Sequence, residues 1–207
     1  MASRHHAARN RTPKDEPTVL LLPYNQHLLR AVYDVFYRAV HESCTQDYTP
    51  EQLEAWAPPF TPQLGEAWQQ RLESEYTLVA GLSFDAKDDV GGSLQVVGFG
   101  AITSTGHLDM LYVAPQVQGN GIGYELYHSL ESVCARDQHD HITTEASLTA
   151  KPFFLKQGFT VDEEQQAERR GQKLTNFKMS KKIQAKQSLA QALAAAMAAA
   201  SAEKGKQ

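Results

Sequence analysis

Residues 108–123, LDMLYVAPQVQGNGIG, decide how this chain reads. Leu108 to Val113 is a run of leucine, methionine, tyrosine and valine broken by one aspartate, the composition of a half-buried strand. Ala114 and Pro115 stop it. Gly119, Gly121 and Gly123 then open a segment in which Ile122, Leu126, Leu130, Val133 and Cys134 fall on one helical face. A strand passing through a glycine turn into a helix leaves unpaired backbone N–H groups at the helix start. Those groups and the helix dipole favour an anion such as a pyrophosphate, and glycines let phosphates approach the main chain closely. The same glycines would also serve a plain tight turn, and both readings stand at this point.

Working outward, TVLLLP (18–23) reads as a first strand stopped by proline, and Leu28 to His41 as an amphipathic helix. Thr49, Pro50 and Gln52 form a capping box that opens a second helix through Leu53 and Trp56. Thr61 and Pro62 repeat the device for a third, through Trp68 and Leu72. YTLVAGLSF (76–84) and LQVVGFGAITS (94–104) form an antiparallel hairpin around the turn-rich DAKDDVGG, and a turn at Thr105 and Gly106 leads into HLDMLYV (107–113). After the glycine-opened helix, DQHDH breaks the pattern. ITTEA (142–146) is a strand, PFFLKQGF (152–159) a short helix ending at Gly158, and two last strands centre on Val161 and on LTNFKM (174–179). The order is βααα-ββ-βαβα-ββ, an α/β chain with about seven strands. Residues 1–17 are polar, basic and proline-containing, which predicts a flexible leader, with His5 and His6 solvated there. Residues 184–207 form an alanine-rich helical tail whose narrow stripe of Leu189, Leu193 and Met197 is compatible with weak docking or a homodimer contact. Between them, 18–183 form one domain.

Composition narrows the function. A chain of 207 residues, 42% hydrophobic and 21% charged, is long enough for one well-buried core. Its net charge of -4 carries no global basic field, so nucleic acid is not an expected partner. No stretch reaches the roughly 20 apolar residues of a membrane span, and no secretory signal opens the chain, so a soluble cytoplasmic protein without membrane association is expected. Cys44 and Cys134 are the two cysteines and lack paired metal-ligand spacing, which argues against disulfides or structural zinc. His128, His139 and His141 share no helical face, so no metal is expected there either.

Two phosphate motifs fail. Three residues beyond Gly121 stands Tyr124, where the dinucleotide fingerprint wants Gly or Ala, and no Gly-Lys-Ser/Thr ends the turn as in a nucleoside triphosphate loop. The Q/R-x-x-G-x-G/A signature does fit, on Gln116-Val117-Gln118-Gly119-Asn120-Gly121, preceded by Val113-Ala114-Pro115. Further on, Ala150 to Phe159 (AKPFFLKQGF) matches A-x-x-x-[Y/F]-x-x-x-G-F. Together, in this order, they make the stretch from about Thr18 to Ile183 resemble the GNAT superfamily of acetyl-CoA-dependent N-acetyltransferases.

That resemblance implies a mixed, mostly antiparallel seven-stranded sheet flanked by helices and splayed between strands 4 and 5. It implies acetyl-CoA as cosubstrate and acetyl transfer to a primary amine by direct attack in a ternary complex. Carried over, Gln118, Gly119, Asn120, Gly121, Ile122 and Gly123 hold the pyrophosphate. Leu111, Tyr112 and Val113 pair with the pantetheine arm, and the Val113 N–H polarises the thioester carbonyl, an oxyanion role whose loss costs roughly 3 kcal/mol. An alkylamine with a pKa of about 10.4 needs a base. Strand alternation places His107, Asp109, Leu111 and Val113 on one face, and some members carry a glutamate base four residues before the oxyanion donor. Asp109 is therefore the first base candidate, with Glu145 and His107 as alternatives. Where many members have a tyrosine acid this chain has Phe154, which would pack on the cofactor, leaving Tyr112, Tyr124 or water to serve the leaving thiolate. The same departure motivates the rival reading, a non-catalytic acyl-CoA-binding sensor or interaction module. The acceptor pocket is expected from His41, Asp47, Tyr48 and Trp56.

Overall fold

The computed structural model describes residues 18–83 and 94–183. The leader expected over 1–17, the DAKDDVGG turn and the alanine-rich tail lie outside the described residues. Within them the chain forms β1 (Thr18–Pro23), α1 (Leu29–Ser43), α2 (Pro50–Trp56), α3 (Pro62–Ser74), β2 (Tyr76–Ser83), β3 (Leu94–Ile102), β4 (His107–Val113), α4 (Ile122–Arg136), β5 (His141–Ser147), α5 (Lys151–Lys156), β6 (Thr160–Arg169) and β7 (Gln172–Lys182). The sheet order is β1-β2-β3-β4-β5-β7-β6, with β4 and β5 parallel and every other neighbouring pair antiparallel. No helix among these residues is long and apolar enough to cross a membrane.

The helix starts follow from local chemistry. Thr49 Oγ1 accepts from Gln52 N at 3.3 Å while Gln52 Oε1 accepts from Thr49 N at 2.9 Å, a complete capping box, and Thr61 Oγ1 accepts from Leu64 N at 3.2 Å. Pro50 and Pro62 occupy the first helical positions, where no amide is missed. The Gln52 amide also donates to Lys173 O at 2.8 Å, tying α2 to β7.

Each face of the sheet has its own core. On one side α1, α2 and α3 bury Val32, Phe36, Val40, Leu53 and Leu72 against Val79, Phe99, Ala101 and Met110. On the other, Leu126, Leu130 and Cys134 of α4 pack on Leu78, Val97, Ile102, Leu108 and Ile142, with Phe154 and Phe159 closing the far end. Gly100 permits this seating, since a Cβ there would stand 2.7 Å from Leu130 Cδ1. Both cysteines are buried free thiols.

Two features depart from the sequence-based expectation. The strand expected around Val161 runs from Thr160 to Arg169, and nearly all of it is exposed. As the outer edge of the sheet it has no need of apolar alternation, and its polar DEEQQAER sequence conceals it. The second departure decides the site. In the β3–β4 register, Ala101 pairs with Met110 but Ile102 pairs with Leu108, so Asp109 is an extra residue in β4, a β-bulge. Leu108, Leu111 and Val113 consequently pack toward α4, and Met110 and Tyr112 toward α1. The expected common face of His107, Asp109, Leu111 and Val113 does not form: His107 and Asp109 line a cavity with Met110 and Tyr112 on the α1 side. The period of two is reset at the bulge.

Beyond the bulge the sheet opens. β4 and β5 pair only through His107 with Thr143 and Leu108 with Thr144, after which the strands part, giving the expected splay between strands 4 and 5. Leu130→Ala should lower stability by about 2–5 kcal/mol, because its fully buried side chain would leave a cavity between α4 and the sheet. Urea unfolding should show a lower midpoint with an unchanged slope; a loss well under 1 kcal/mol would mean that α4 is not packed as described.

Candidate active site

The parted strands expose backbone. Ala114 N–H donates to Val97 O at 2.8 Å, and the same register pairs Tyr112 with Phe99 and Val113 with Gly98. Antiparallel alternation therefore turns the amides of Tyr112 and Ala114 toward β3 and those of Leu111 and Val113 toward β5, where no strand pairs with them. Two donors thus face the gap from a rigid strand.

At the end of β4 the chain enters the glycine turn. Gly119 and Gly121 have φ of 81° and 85°, a left-handed conformation that glycine adopts without steric cost. Gly121 is the N-cap of α4, and the first intrahelical bond is Glu125 N to Gly121 O at 3.0 Å, so the amides before Glu125 have no intrahelical acceptor. A Cβ at Gly119 or Gly121 would meet nothing within 4 Å, so the turn borders open space. The Gln118 amide donates to Val113 O at 2.9 Å and Ser43 Oγ at 3.0 Å, fixing the loop against β4 and α1. Asn120 instead donates to Val117 O at 3.2 Å, which holds the turn.

These parts line a cavity of about 460 Å³ on the α4 side, bounded by Leu111, Tyr112, Val113, Gln118, Gly119, Gly121, Ile122, Gly123 and Phe154 but not Asn120. Unpaired amides, an open glycine cradle and an apolar slot suit an anionic head on a long thin arm, the form of coenzyme A. Phe154 is buried, with its ring 5.2 Å from those of Phe153 and Phe159.

A second cavity of about 380 Å³ opens on the other face, walled by Tyr33, Phe36, Tyr48, Trp56 and Trp68. Asp109, Tyr112, Glu145, Ser147 and Trp56 line both cavities, so the two meet at the gap in the sheet. Of the residues expected around an acceptor, Tyr48 and Trp56 are here. His41 is bound to Ala57 O at 2.7 Å and stacked on Tyr37, and Asp47 accepts from Thr149; neither lines a cavity. His128 lies by Glu131 and His141 by Asp140, and no group of three metal-ligating side chains assembles among the described residues.

The acids at the gap differ sharply. Asp109 is clamped by Arg71, with Nη2 at 2.5 Å and Nε at 2.6 Å from one oxygen. Behind the clamp stands Glu75, 3.8 Å from Arg71 Nε, with one buried oxygen that has no hydrogen-bond partner among the described residues. Burial first, and then the neighbouring Asp109, push its carboxyl up to about 7, against the pull of Arg71. Glu145, across the gap, is exposed, receives Asn176 Nδ2 at 3.4 Å and has no ion pair among the described residues. Tyr112 is wedged between Phe36 and Phe99, with centroids at 5.0 and 5.5 Å; burial raises its phenol far above the ordinary range, and Trp56 donates to it. Tyr124 is 45% exposed beside His128. Sequence reasoning missed Arg71 and Glu75, which look like ordinary polar positions near a helix end until β4 is laid beside them.

Comparison with known proteins identifies the family and the fold. Residues 44–182 match the family described as Acetyltransferase (GNAT) domain. The chain is 34% identical to the uncharacterized N-acetyltransferase YafP of Escherichia coli over 152 residues, covering 72% of this chain and 87% of that one. Among solved structures, a GCN5-related N-acetyltransferase from Rhodopseudomonas palustris superposes with a TM-score of 0.70 at 28% identity, over 80% of this chain and 96% of the other. The PaiA N-acetyltransferase of Thermoplasma acidophilum, solved in complex with coenzyme A, shares the fold with a TM-score of 0.61 at 17% identity, over 80% and 99% of the two chains.

Because the folded-state value of Glu75 lies above its unfolded value of 4.5, the native state holds the extra proton, and stability falls as pH rises from about 4.5 through about 7. At about 1.4 kcal/mol per pH unit the loss is on the order of 3 kcal/mol. Glu75→Gln should therefore gain on the wild type in melting temperature between pH 5 and pH 8; parallel pH profiles would show that Glu75 ionises normally.

Proposed function

The chain belongs to the GNAT family of acetyltransferases, and from that premise we propose that it moves the acetyl group of acetyl-CoA onto a primary amine by direct attack, with both substrates bound. The observation that carries this reading is the gap beside Asp109, through which a cavity suited to coenzyme A meets a cavity suited to an acceptor.

Acetyl-CoA, when bound, supplies an activated thioester carbonyl. The amides of Gly119 and Gly121 and those opening α4 receive the pyrophosphate, while Gln118 holds the loop in place and Asn120 contributes through its position in the turn. Leu111 and Val113 offer their free amides to the pantetheine arm, and Tyr112 shapes the passage. The Val113 N–H donates to the carbonyl oxygen as negative charge grows there, and because its strand is rigid the donor needs no reorganisation.

An ammonium group must lose a proton before it attacks. Asp109 is poorly suited to take it, since two nitrogens of the Arg71 guanidinium already occupy its Oδ2. Glu145 lines both cavities, is free of such a clamp and is open to water, so it accepts the proton and passes it to solvent. Asp109, held by Arg71, supplies fixed negative charge that draws the ammonium into place. Phe154 has no proton for the departing sulfur. The Tyr112 hydroxyl, which Trp56 orients and burial keeps protonated, donates a hydrogen bond to it, and water delivers the proton.

Glu145→Gln should reduce kcat by about 100-fold or more, and Asp109→Asn by less than about tenfold, with acetyl-CoA affinity near the wild-type value in both. Steady-state kinetics over an amine panel, with calorimetry for the cofactor, reads both. The reverse order of effects would return the base role to Asp109. Acetyl-CoA binding without turnover on any amine would instead favour an acyl-CoA-binding sensor.

A further inference from the structure

The hairpin that joins β6 to β7 turns on Arg170 and Gly171, with φ of 46° and 78°. Two successive positive φ values define the tight hairpin turn that normally selects Asn, Asp or Gly at its first position. An arginine there is held in a conformation its side chain disfavours, and such a residue persists where something else gains from its position. What its position achieves is visible: both Arg169 and Arg170 line the acceptor cavity.

Among the described residues neither guanidinium has an ion pair, although β6 is rich in glutamate. Within the same residues Arg169 donates to Glu168 O at 3.2 Å, and Arg170 uses Nη1 on Ala55 O at 2.7 Å, at the C-terminal turn of α2. That last bond steadies α2, yet a guanidinium has five N–H donors, and the others are left for a ligand. Burial raises the phenol of Tyr33, another wall residue, and the charge of Arg170 works against that rise, so the cation is felt inside the cavity.

The cavity is therefore polar in the electrical sense. Glu145 and Asp109 stand at the gap, two arginines stand at the hairpin, and aromatic rings lie between. Glu145 is opposite Lys178, and the turn lies beyond Gln172, six residues along β7, roughly 20 Å of strand at about 3.3 Å per residue. Even with the arginine side chains reaching back, the two charges sit too far apart to be met by groups on a single carbon.

We infer that the acceptor is an amine whose flat apolar body carries a carboxylate on the side remote from the amino group, and that Arg170, assisted by Arg169, grips that carboxylate while the amine faces Glu145. This inference rests on the transferase reading above and gives it a substrate class. Arg170 is a specificity residue, and a bidentate fork is the suitable group for a planar carboxylate.

Two independent readouts test it. Trp56 and Trp68 are the two tryptophans of the chain, and both line this cavity, so intrinsic fluorescence reports binding without turnover. The probes are para-(aminomethyl)benzoate and para-(aminoethyl)benzoate, each paired with its neutral carboxamide, and L-phenylalanine, whose two charges share one carbon. The wild type should favour each acid over its amide by about tenfold or more in dissociation constant, and by a similar factor in kcat/KM, with L-phenylalanine binding poorly. Arg170→Asn, which suits the turn, should reduce the preference to about twofold while the thermal shift given by acetyl-CoA stays that of the wild type. Arg170→Lys should retain part of the preference. Equal binding of acid and amide by the wild type, or a preference that survives in Arg170→Asn, overturns the inference and leaves acetyl transfer intact. A fluorescence preference with no turnover on any probe upholds the recognition site and contradicts the transferase reading.

Discussion

One inserted residue in β4 organises the molecule's function. Asp109 has no partner of its own on β3, and the bulge it makes turns the following residues over and coincides with the end of pairing to β5. A continuous sheet would bury its main-chain groups in ladder hydrogen bonds and keep the two faces apart. With the ladder interrupted, Leu111 and Val113 retain free donors, and the helical layers on either side communicate through the sheet. The glycine turn, the helix start and the aromatic wall gain their meaning from this opening.

The surroundings of the opening divide by charge and by rigidity. On the α4 side the groups proposed to meet an anion are backbone amides set by left-handed glycines, and they need no particular side chain. On the α1 side the cavity is lined by side chains gathered from α1, α2, α3, β5 and the β6–β7 hairpin. Arg71 touches both Asp109 and Glu75, and burial first, then the charge of Asp109, keeps a proton on Glu75 near neutrality. Glu145 stands outside that network, exposed at the wall of both cavities.

Much of this was legible in the residues, and what was not has physical reasons. The capping box at Thr49, the threonine cap followed by proline at Thr61, the glycine-opened helix and the order of strands and helices are local signals, and the structure bears them out. Phe154, singled out by its motif, lines the cavity beside the glycine turn. The bulge did not, because a one-residue insertion leaves the composition of a strand unchanged and appears only against its neighbour's register. Pairing Asp109 with Arg71, 38 residues earlier, is a tertiary event that no helical period encodes. The length of β6 was hidden by its polarity, and with it the turn that carries Arg170.

The central claim is that the bulge leaves the amides of Leu111 and Val113 facing the gap, ready for a ligand. Residue-resolved amide hydrogen exchange with and without coenzyme A measures this directly. Leu111 and Val113 should exchange quickly in the free protein and slow markedly when coenzyme A binds, while Tyr112 and Ala114, turned toward β3, stay protected in both states. Equal protection of all four amides without ligand, or no change at Leu111 and Val113 at saturating coenzyme A, would contradict the account.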